Sequence, residues 1–432
     1  MGVRVLPQHL TITGALLLAL CLMGLLGAAG SKEAHALVGE YEPGQVIVKL
    51  DPKARATIRQ INADYGTTTL DNTLGGMGVY LLQTPAKEDV KTFAERLARD
   101  PFGTLDRVLY AEPNFTAETA EGDARMRARG ISPSSESPDP TDQYPDGALD
   151  VNLNLSCAAT QNNQGKGVTV AVLDTGAQLN HPALKARFKD VKRYDFVDND
   201  NNPSELWAGQ DGDNDGDVDE MTGHGTHVAG IVVRVAPAAK IMPLRVLDTE
   251  GYGDVFTISK AIRYSWLNGG KVINLSLGSS NRSKLLEEMI GNAINKGVVV
   301  AAAAGNSNTT LPHYPAAGDG IPRFSEDGLV AVTSVGQDKL KSDFANYGTW
   351  VDVAAPGEGI RSAFPINQYA NWDGTSMSTP FVSGQAALIK QVYGSSIKPE
   401  NIGRKIRDTA RPEDPVYSIL GAKHTDVCES LR

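Results

Sequence analysis

Residues 168–176 read VTVAVLDTG, an unbroken run of apolar and β-branched residues that closes on Asp174-Thr175-Gly176. A run without apolar–polar alternation predicts a strand buried on both faces rather than one with a wet side. The pattern returns at 241–247, 272–277, 298–303 and 329–335. Helical periodicities separate these runs, one carrying Val255, Ile258, Ile262 and Trp266, another over 285–295. The alternation predicts an α/β domain with a doubly wound, mostly parallel sheet. Sites in such sheets form beyond the carboxyl ends of the strands.

Three motifs fall there. Asp174-Thr175-Gly176 ends the first strand, and Gly223-His224-Gly225-Thr226-His227 opens a helix after a long polar loop. Gly374-Thr375-Ser376-Met377-Ser378-Thr379-Pro380 opens a strongly apolar helix reaching Tyr393. An aspartate, a histidine and a serine at element ends are the parts of a nucleophilic triad: the imidazole takes the hydroxyl proton, and the buried carboxylate fixes its tautomer. Ser376 beside a helix N-terminus has free backbone N–H groups and the positive dipole end, both suited to a developing oxyanion. Pro380 is tolerable because the first four helical N–H groups have no intrahelical partner. Gly374 suits a close approach of backbone to substrate.

In the order Asp, His, Ser these motifs resemble the subtilisin-like serine proteases of the peptidase S8 family, over residues 144–411. The resemblance implies a serine endopeptidase acting on extended polypeptides through an acyl-enzyme. Asp174 would orient, His224 would act as base and then acid, and Ser376 would attack. Asn306, closing Ala301-Ala302-Ala303-Ala304-Gly305-Asn306, matches the family's oxyanion-hole asparagine. Gly251-Tyr252-Gly253 and Ser276-Leu277-Gly278 resemble the two edges between which the family holds a peptide as an added strand. Ala303, Ala304, Gly305 and Tyr314 would line the pocket for P1, the residue before the scissile bond. Small residues there imply room for a large apolar or aromatic side chain, with His313 beside the pocket.

Other readings of these residues carry less. A single Asp-Thr-Gly cannot supply the two carboxylates of an aspartic protease within one chain. His224 and His227 stand three apart on a helix, without a third zinc ligand nearby in sequence. Ser376 alone would read as a helix cap, and only its company promotes it. His181, after Asn180, reads as a surface turn residue.

The 432 residues include 41 Lys+Arg against 51 Asp+Glu, a net charge of −10, which argues against a nucleic-acid binder. With 41% hydrophobic and 21% charged residues, the composition argues against wholesale disorder and against a polytopic membrane protein. The acidity is local, because residues 195–220 hold ten carboxylates and no Lys or Arg. Within that window Asp211, Asp213, Asp215, Asp217 and Asp219 alternate around Gly216, like the start of an EF-hand loop, although the twelfth position is Thr222. Asp198 and Asp200 are further candidate ligands. So many carboxylates near a catalytic histidine would raise its pKa without a counter-ion, and a structural Ca2+ is expected. The chemistry itself requires no cofactor. The family's best-known calcium loop follows the His helix, and residues 230–237 are too few to contain it.

Arg4, the apolar run 15–29 and Ala34-His35-Ala36 read as a cleaved export signal over residues 1–36. The run is shorter than the roughly 20 residues of a membrane span. Segments 44–50, 52–65, 67–70, 78–83, 87–99 and 108–112 then read β-α-β-β-α-β. That is a small ferredoxin-like α+β domain over residues 37–115, which resembles the family's inhibitor-I9-type propeptide. Residues 116–143, rich in proline and poor in large apolar groups, read as an exposed linker with the maturation site. Residues 144–432 are the expected peptidase domain. Cys157 and Cys428 remain after signal removal and either pair or stay as thiols. The expectation is a secreted or periplasmic monomer, made as a self-processing precursor and inhibited by its own propeptide, with polypeptide substrates and without nucleic acid or stable membrane association. The alternative is a calcium-dependent binding or structural protein on an inactive protease scaffold.

Overall fold

The computed structural model describes residues 40–54, 56–86, 88–100, 107–121, 128–133, 153–155, 164–205, 207, 209, 211, 216–318, 328–394, 396–412 and 422–432. The export-signal segment lies outside the described residues. So does Cys157, while Cys428 is disulfide-bonded.

The N-terminal domain follows the expected order. Tyr41–Leu50 (β1), Ile58–Tyr65 (α1), Thr68–Asp71 (β2), Val79–Gln83 (β3), Val90–Arg99 (α2) and Val108–Thr119 (β4) build an antiparallel sheet in the order β4-β1-β3-β2. Helix α1 starts later than its sequence pattern because Thr57 and Gln60 form a capping box there. Asp89 caps α2. The two helices bury Ile61, Tyr65, Phe93 and Leu97 against Val46, Val48 and Leu82.

The second domain continues with Arg129–Pro133 (β5), Thr169–Asp174 (β6), Tyr194–Asp195 (β7), His224–Val235 (α3) and Lys240–Arg245 (β8). Next come Tyr252–Asp254 (β9), Val255–Leu267 (α4), Val272–Leu275 (β10), Leu277–Gly278 (β11), Lys284–Asn295 (α5) and Val299–Ala303 (β12). Leu329–Val335 (β13), Val353–Pro356 (β14), Ile360–Phe364 (β15), Gln368–Trp372 (β16), Thr375–Tyr393 (α6), Pro399–Thr409 (α7), Lys423–His424 (β17) and Val427–Ser430 (α8) complete it.

Its main sheet is parallel throughout, in the order β17-β14-β13-β12-β10-β6-β8-β7. The apolar runs serve two cores at once. Val170 and Val172 face the cluster that includes Val228 and Phe381 of α3 and α6, whereas Ala171 and Leu173 face the one that includes Ile258 and Met289 of α4 and α5. Both faces are covered, so Val170 to Leu173 are apolar without alternation. From β6 the chain moves first to β8 on one side and then to β10 on the other. The order reverses at β6, and the crevice opens at its carboxyl end.

Two expectations need correction. The run 272–277 is not one strand: it leaves the parallel sheet after Leu275, and β11 pairs antiparallel with β4. The stretch 116–143 is not wholly an exposed linker. Thr116–Thr119 extends β4 between β9 and β11, and β5 adds to β16 in a sheet ordered β15-β16-β5. Composition misses this because backbone pairing with distant strands, not local apolar burial, offsets the ordering entropy. Residues 122–127 and 134–143 lie outside those described.

Candidate active site

Asp174, His224 and Ser376 meet at the carboxyl end of β6. His224 Nδ1 donates to Asp174 Oδ1 at 2.6 Å, and that oxygen also accepts from the Thr175 N–H at 2.8 Å. All three triad side chains are fully buried. The far side of the imidazole packs edge-on against Trp372, with ring centroids 5.3 Å apart.

Helix α3, which carries His224, begins at Gly223 and has no capping side chain of its own. Its cap arrives from elsewhere. The buried Glu205 carboxylate accepts from the N–H groups of Gly223 (3.2 Å), Gly225 (3.1 Å) and Thr226 (3.1 Å), and from the hydroxyls of Thr175 and Thr226. Burial pushes its pKa up, the two hydroxyls oppose that, and nearby Asp174 adds to it. Nothing in the local pattern points to this residue beyond an uncapped glycine before His224.

Ser376 is the second residue of α6, next to Gly374 at φ 149°, a backbone conformation that favours glycine. Pro380 is the sixth helical residue, not one of the first four, which corrects the sequence reading. It cannot donate to the Ser376 carbonyl four residues back. That carbonyl instead accepts from Ser276 Oγ at 2.8 Å, and Ser376 Oγ lies 3.1 Å from the Ser276 carbonyl. The proline thus frees an acceptor that ties Ser376 to the 276–278 segment. Asn306 is oriented from behind, its Oδ1 accepting from the Thr375 N–H at 2.9 Å, which turns Nδ2 toward the site.

The cleft is filled by the chain's own N-terminal domain. Strand β4 places Glu118 opposite Tyr252 and Gly278, Ala117 opposite Gly253, and Thr119 opposite Leu277, and the Thr119 N–H donates to the Gly251 carbonyl at 3.0 Å. The two expected substrate edges therefore hold a peptide as their middle strand. Further back, Glu112 accepts from Ser283 Oγ and the N–H groups of Lys284 and Leu285 at the start of α5. Asn114 bonds Asp254 and the Phe256 N–H at the start of α4.

Two residues beyond β4, Glu121 reaches the triad, although sequence reasoning left it unremarked. Its Oε2 accepts from Ser376 Oγ at 2.7 Å and from His224 Nε2 at 3.0 Å, and its Oε1 lies 3.4 Å from Asn306 Nδ2. Burial disfavours a charged His224, but Asp174 and Glu121 outweigh it and hold the imidazole well above its ordinary pKa. With a carboxylate at each nitrogen it is an imidazolium, so His224 is no base while Glu121 stays in place.

Ala303 and Ala304 are buried along and just beyond β12, with Gly305 next. The Tyr314 backbone bridges to Ser279. His227 is a structural residue: Nε2 bonds the Ile360 and Ala370 carbonyls, and burial pushes its pKa down to about 3. His181 is buried, not on the surface, with Nε2 3.1 Å from the Gln368 carbonyl and its ring against Tyr369.

Of the acidic loop, Asp213 and Asp215 lie outside the described residues, and no cluster of three or more candidate ligands occurs among those described. Asp211 Oδ2 accepts from the Gly216 N–H and Asp219 Oδ2 from the Gly209 N–H, while the other oxygen of each is buried without a hydrogen-bond partner. Asp198 is engaged by Arg245 at 2.6 Å, as is Asp195 at 3.0 Å. The acidic window is thus partly compensated by a cation from β8, and Asp198 is withdrawn as a ligand.

A model of the subtilase family, peptidase S8, matches residues 165–425, and one of the fervidolysin N-terminal prodomain matches residues 28–114. The chain is 41% identical over 257 residues to thermitase of Thermoactinomyces vulgaris, covering 57% of this chain and 82% of thermitase. It is 35% identical over 390 residues to a thermophilic serine proteinase of Bacillus sp. (strain AK1), covering 86% and 83% of the two chains. Fervidolysin from Fervidobacterium pennivorans shares the fold, with a TM-score of 0.69 at 23% identity over 91% of this chain, which spans 61% of that chain's length. The chain belongs to the subtilase family of serine proteases and carries a fervidolysin-like prodomain.

Proposed function

We propose that the chain is the precursor of an exported serine endopeptidase that cleaves extended polypeptides and processes itself. One observation carries the reading: the Ser376 hydroxyl and His224 Nε2 converge on a single oxygen atom, with Asp174 behind the histidine. With Glu121 displaced, His224 takes the Ser376 proton as Oγ attacks a carbonyl held beside Ser276. Asp174 steadies the imidazolium, and Asn306 Nδ2 with the Ser376 N–H receives the oxyanion. His224 then protonates the leaving amine, and water hydrolyses the acyl-enzyme by the reverse proton path. Removing such an asparagine costs about 10²–10³ in kcat, a magnitude measured in subtilisin itself rather than derived from this geometry.

Export rests on the signal-like residues 1–36 and a disulfide at Cys428, which suits an oxidising compartment. No helix among the described residues is long and apolar enough to cross a membrane. The mature enzyme is monomeric in this reading. Calcium would bind at the acidic loop, where the unpartnered oxygens of Asp211 and Asp219 are the hard donors it prefers, joined by Asp213, Asp215 and Asp217. The ion would neutralise the loop and fix it beside Glu205.

A fluorophosphonate probe tests the function, because only an activated serine reacts. The mature protein is expected to label, and Ser376→Ala to remain an unlabelled, full-length precursor. An inactive calcium-binding scaffold would give no label with either.

A further inference from the structure

We propose that His313 closes the P1 pocket, so that the enzyme takes only small side chains at P1 and makes its maturation cut between Ala120 and Glu121. The inference rests on the endopeptidase reading above and names the substrate class of that site.

The register decides the bond. Thr119 stands opposite Leu277 and Glu118 opposite Gly278. The pairing ends with Thr119 opposite Leu277, and the same register carried one residue on would set Ala120 opposite Ser276, whose carbonyl lies 3.1 Å from Ser376 Oγ. Ala120 therefore presents its carbonyl carbon to the nucleophile, and Glu121 begins the leaving segment. The chain is anchored on both sides, by β4 between β9 and β11 and by β5 on β16. The cut falls in the span between two paired strands.

The pocket explains why an alanine stands there. Its walls are the 276–278 edge and the segment 303–305, which follow neighbouring parallel strands. The His313 ring bridges them. A Cβ built on Gly278 would collide with its Nε2 and Cδ2, and one on Gly305 would lie 3.1 Å from Cγ and 3.2 Å from Nδ1. The imidazole touches both walls where only glycine admits it. A large P1 side chain would compete for that volume, while a methyl group would not, and Ala120 is itself buried. Burial drives the His313 pKa down to about 4, so the ring is neutral and offers no charge to an acidic P1 residue. This overrides the broad pocket that small residues at 303–305 suggest.

In the cut, the Glu121 side chain first swings off the triad and His224 gives up its extra proton to solvent. Ser376 Oγ then adds to the Ala120 carbonyl carbon and its proton passes to His224. The C–N bond to Glu121 breaks as that amine takes the proton. Water then splits the ester, leaving an Ala120 carboxylate and restoring the Ser376 hydroxyl.

Two measurements test the proposal. The released prosegment is expected to end at Ala120 by intact mass. On peptides varied at P1, the mature enzyme is expected to favour Ala and Ser over Phe and Leu by about tenfold or more in kcat/KM. His313→Gly and His313→Ala are expected to raise the value for P1 Phe by about tenfold while moving that for P1 Ala less than about threefold. Equal cleavage after Phe and Ala by the unaltered enzyme, an unchanged ratio in a folded variant, or a prosegment ending elsewhere overturns it. A protein that cuts no peptide and takes no fluorophosphonate defeats the endopeptidase reading itself, whereas one that labels and cuts after large residues defeats only this inference.

Discussion

Glu121 Oε2 lies 2.7 Å from Ser376 Oγ and 3.0 Å from His224 Nε2, so one carboxylate oxygen stands between the serine hydroxyl and the imidazole. The same carboxylate supplies the second negative charge that keeps His224 protonated. Occupying the cleft and silencing the base are thus one contact.

Replacing Glu121 by Gln removes that charge and keeps the shape. A hydrogen bond to a charged group contributes about 1.5–3 kcal/mol against about 0.5–1.5 for a neutral one, so conversion of precursor to mature enzyme is expected to quicken by about tenfold. A time course of the precursor on denaturing gels reads this directly. Slower conversion would contradict the latch.

Prosegment inhibition is expected to weaken as pH rises. Burial pushes the Glu118 carboxyl up to about 7 in the docked state. The docked form therefore holds a proton more tightly than the released one. The stability this contributes is complete below the ordinary carboxylate range and is lost as pH climbs toward 7. The inhibition constant of the released prosegment should rise by about tenfold between about pH 5 and 8, and Glu118→Gln should flatten the slope.

Glu205→Ala leaves three backbone N–H groups of the His224 helix without their carboxylate. At about 1–3 kcal/mol for an unmet buried donor, a loss of about 3 kcal/mol is expected in denaturant melts made in the Ser376→Ala background. In active enzyme kcat should fall with little change in KM, because β9 and β11 are untouched. Glu205→Gln, which keeps an acceptor, should recover part of both. An unchanged kcat would remove Glu205 from the positioning of the base.

Chelation is expected to lower the melting temperature of the mature enzyme and speed its autolysis, since the loop of Asp211 and Asp219 would lose its counter-ion. A melting temperature indifferent to both calcium and chelator ends the metal assignment.

The residues alone determined most strands of the parallel sheet, the two-sided burial of 168–174, and the placing of Asp174, His224 and Ser376 at element ends. Each is written in side-chain period or in residue type at an element end, which local physics reads without knowing the neighbours. Tertiary structure alone decided that Glu205 caps the His224 helix, that Ser276 answers the carbonyl freed by Pro380, that His313 bridges Gly278 and Gly305, and that Glu121 lies on the triad. These are pairings between polar groups far apart in the chain. A carboxylate or an imidazole has the same local signature whether solvated or buried, and only the closed fold selects its partner.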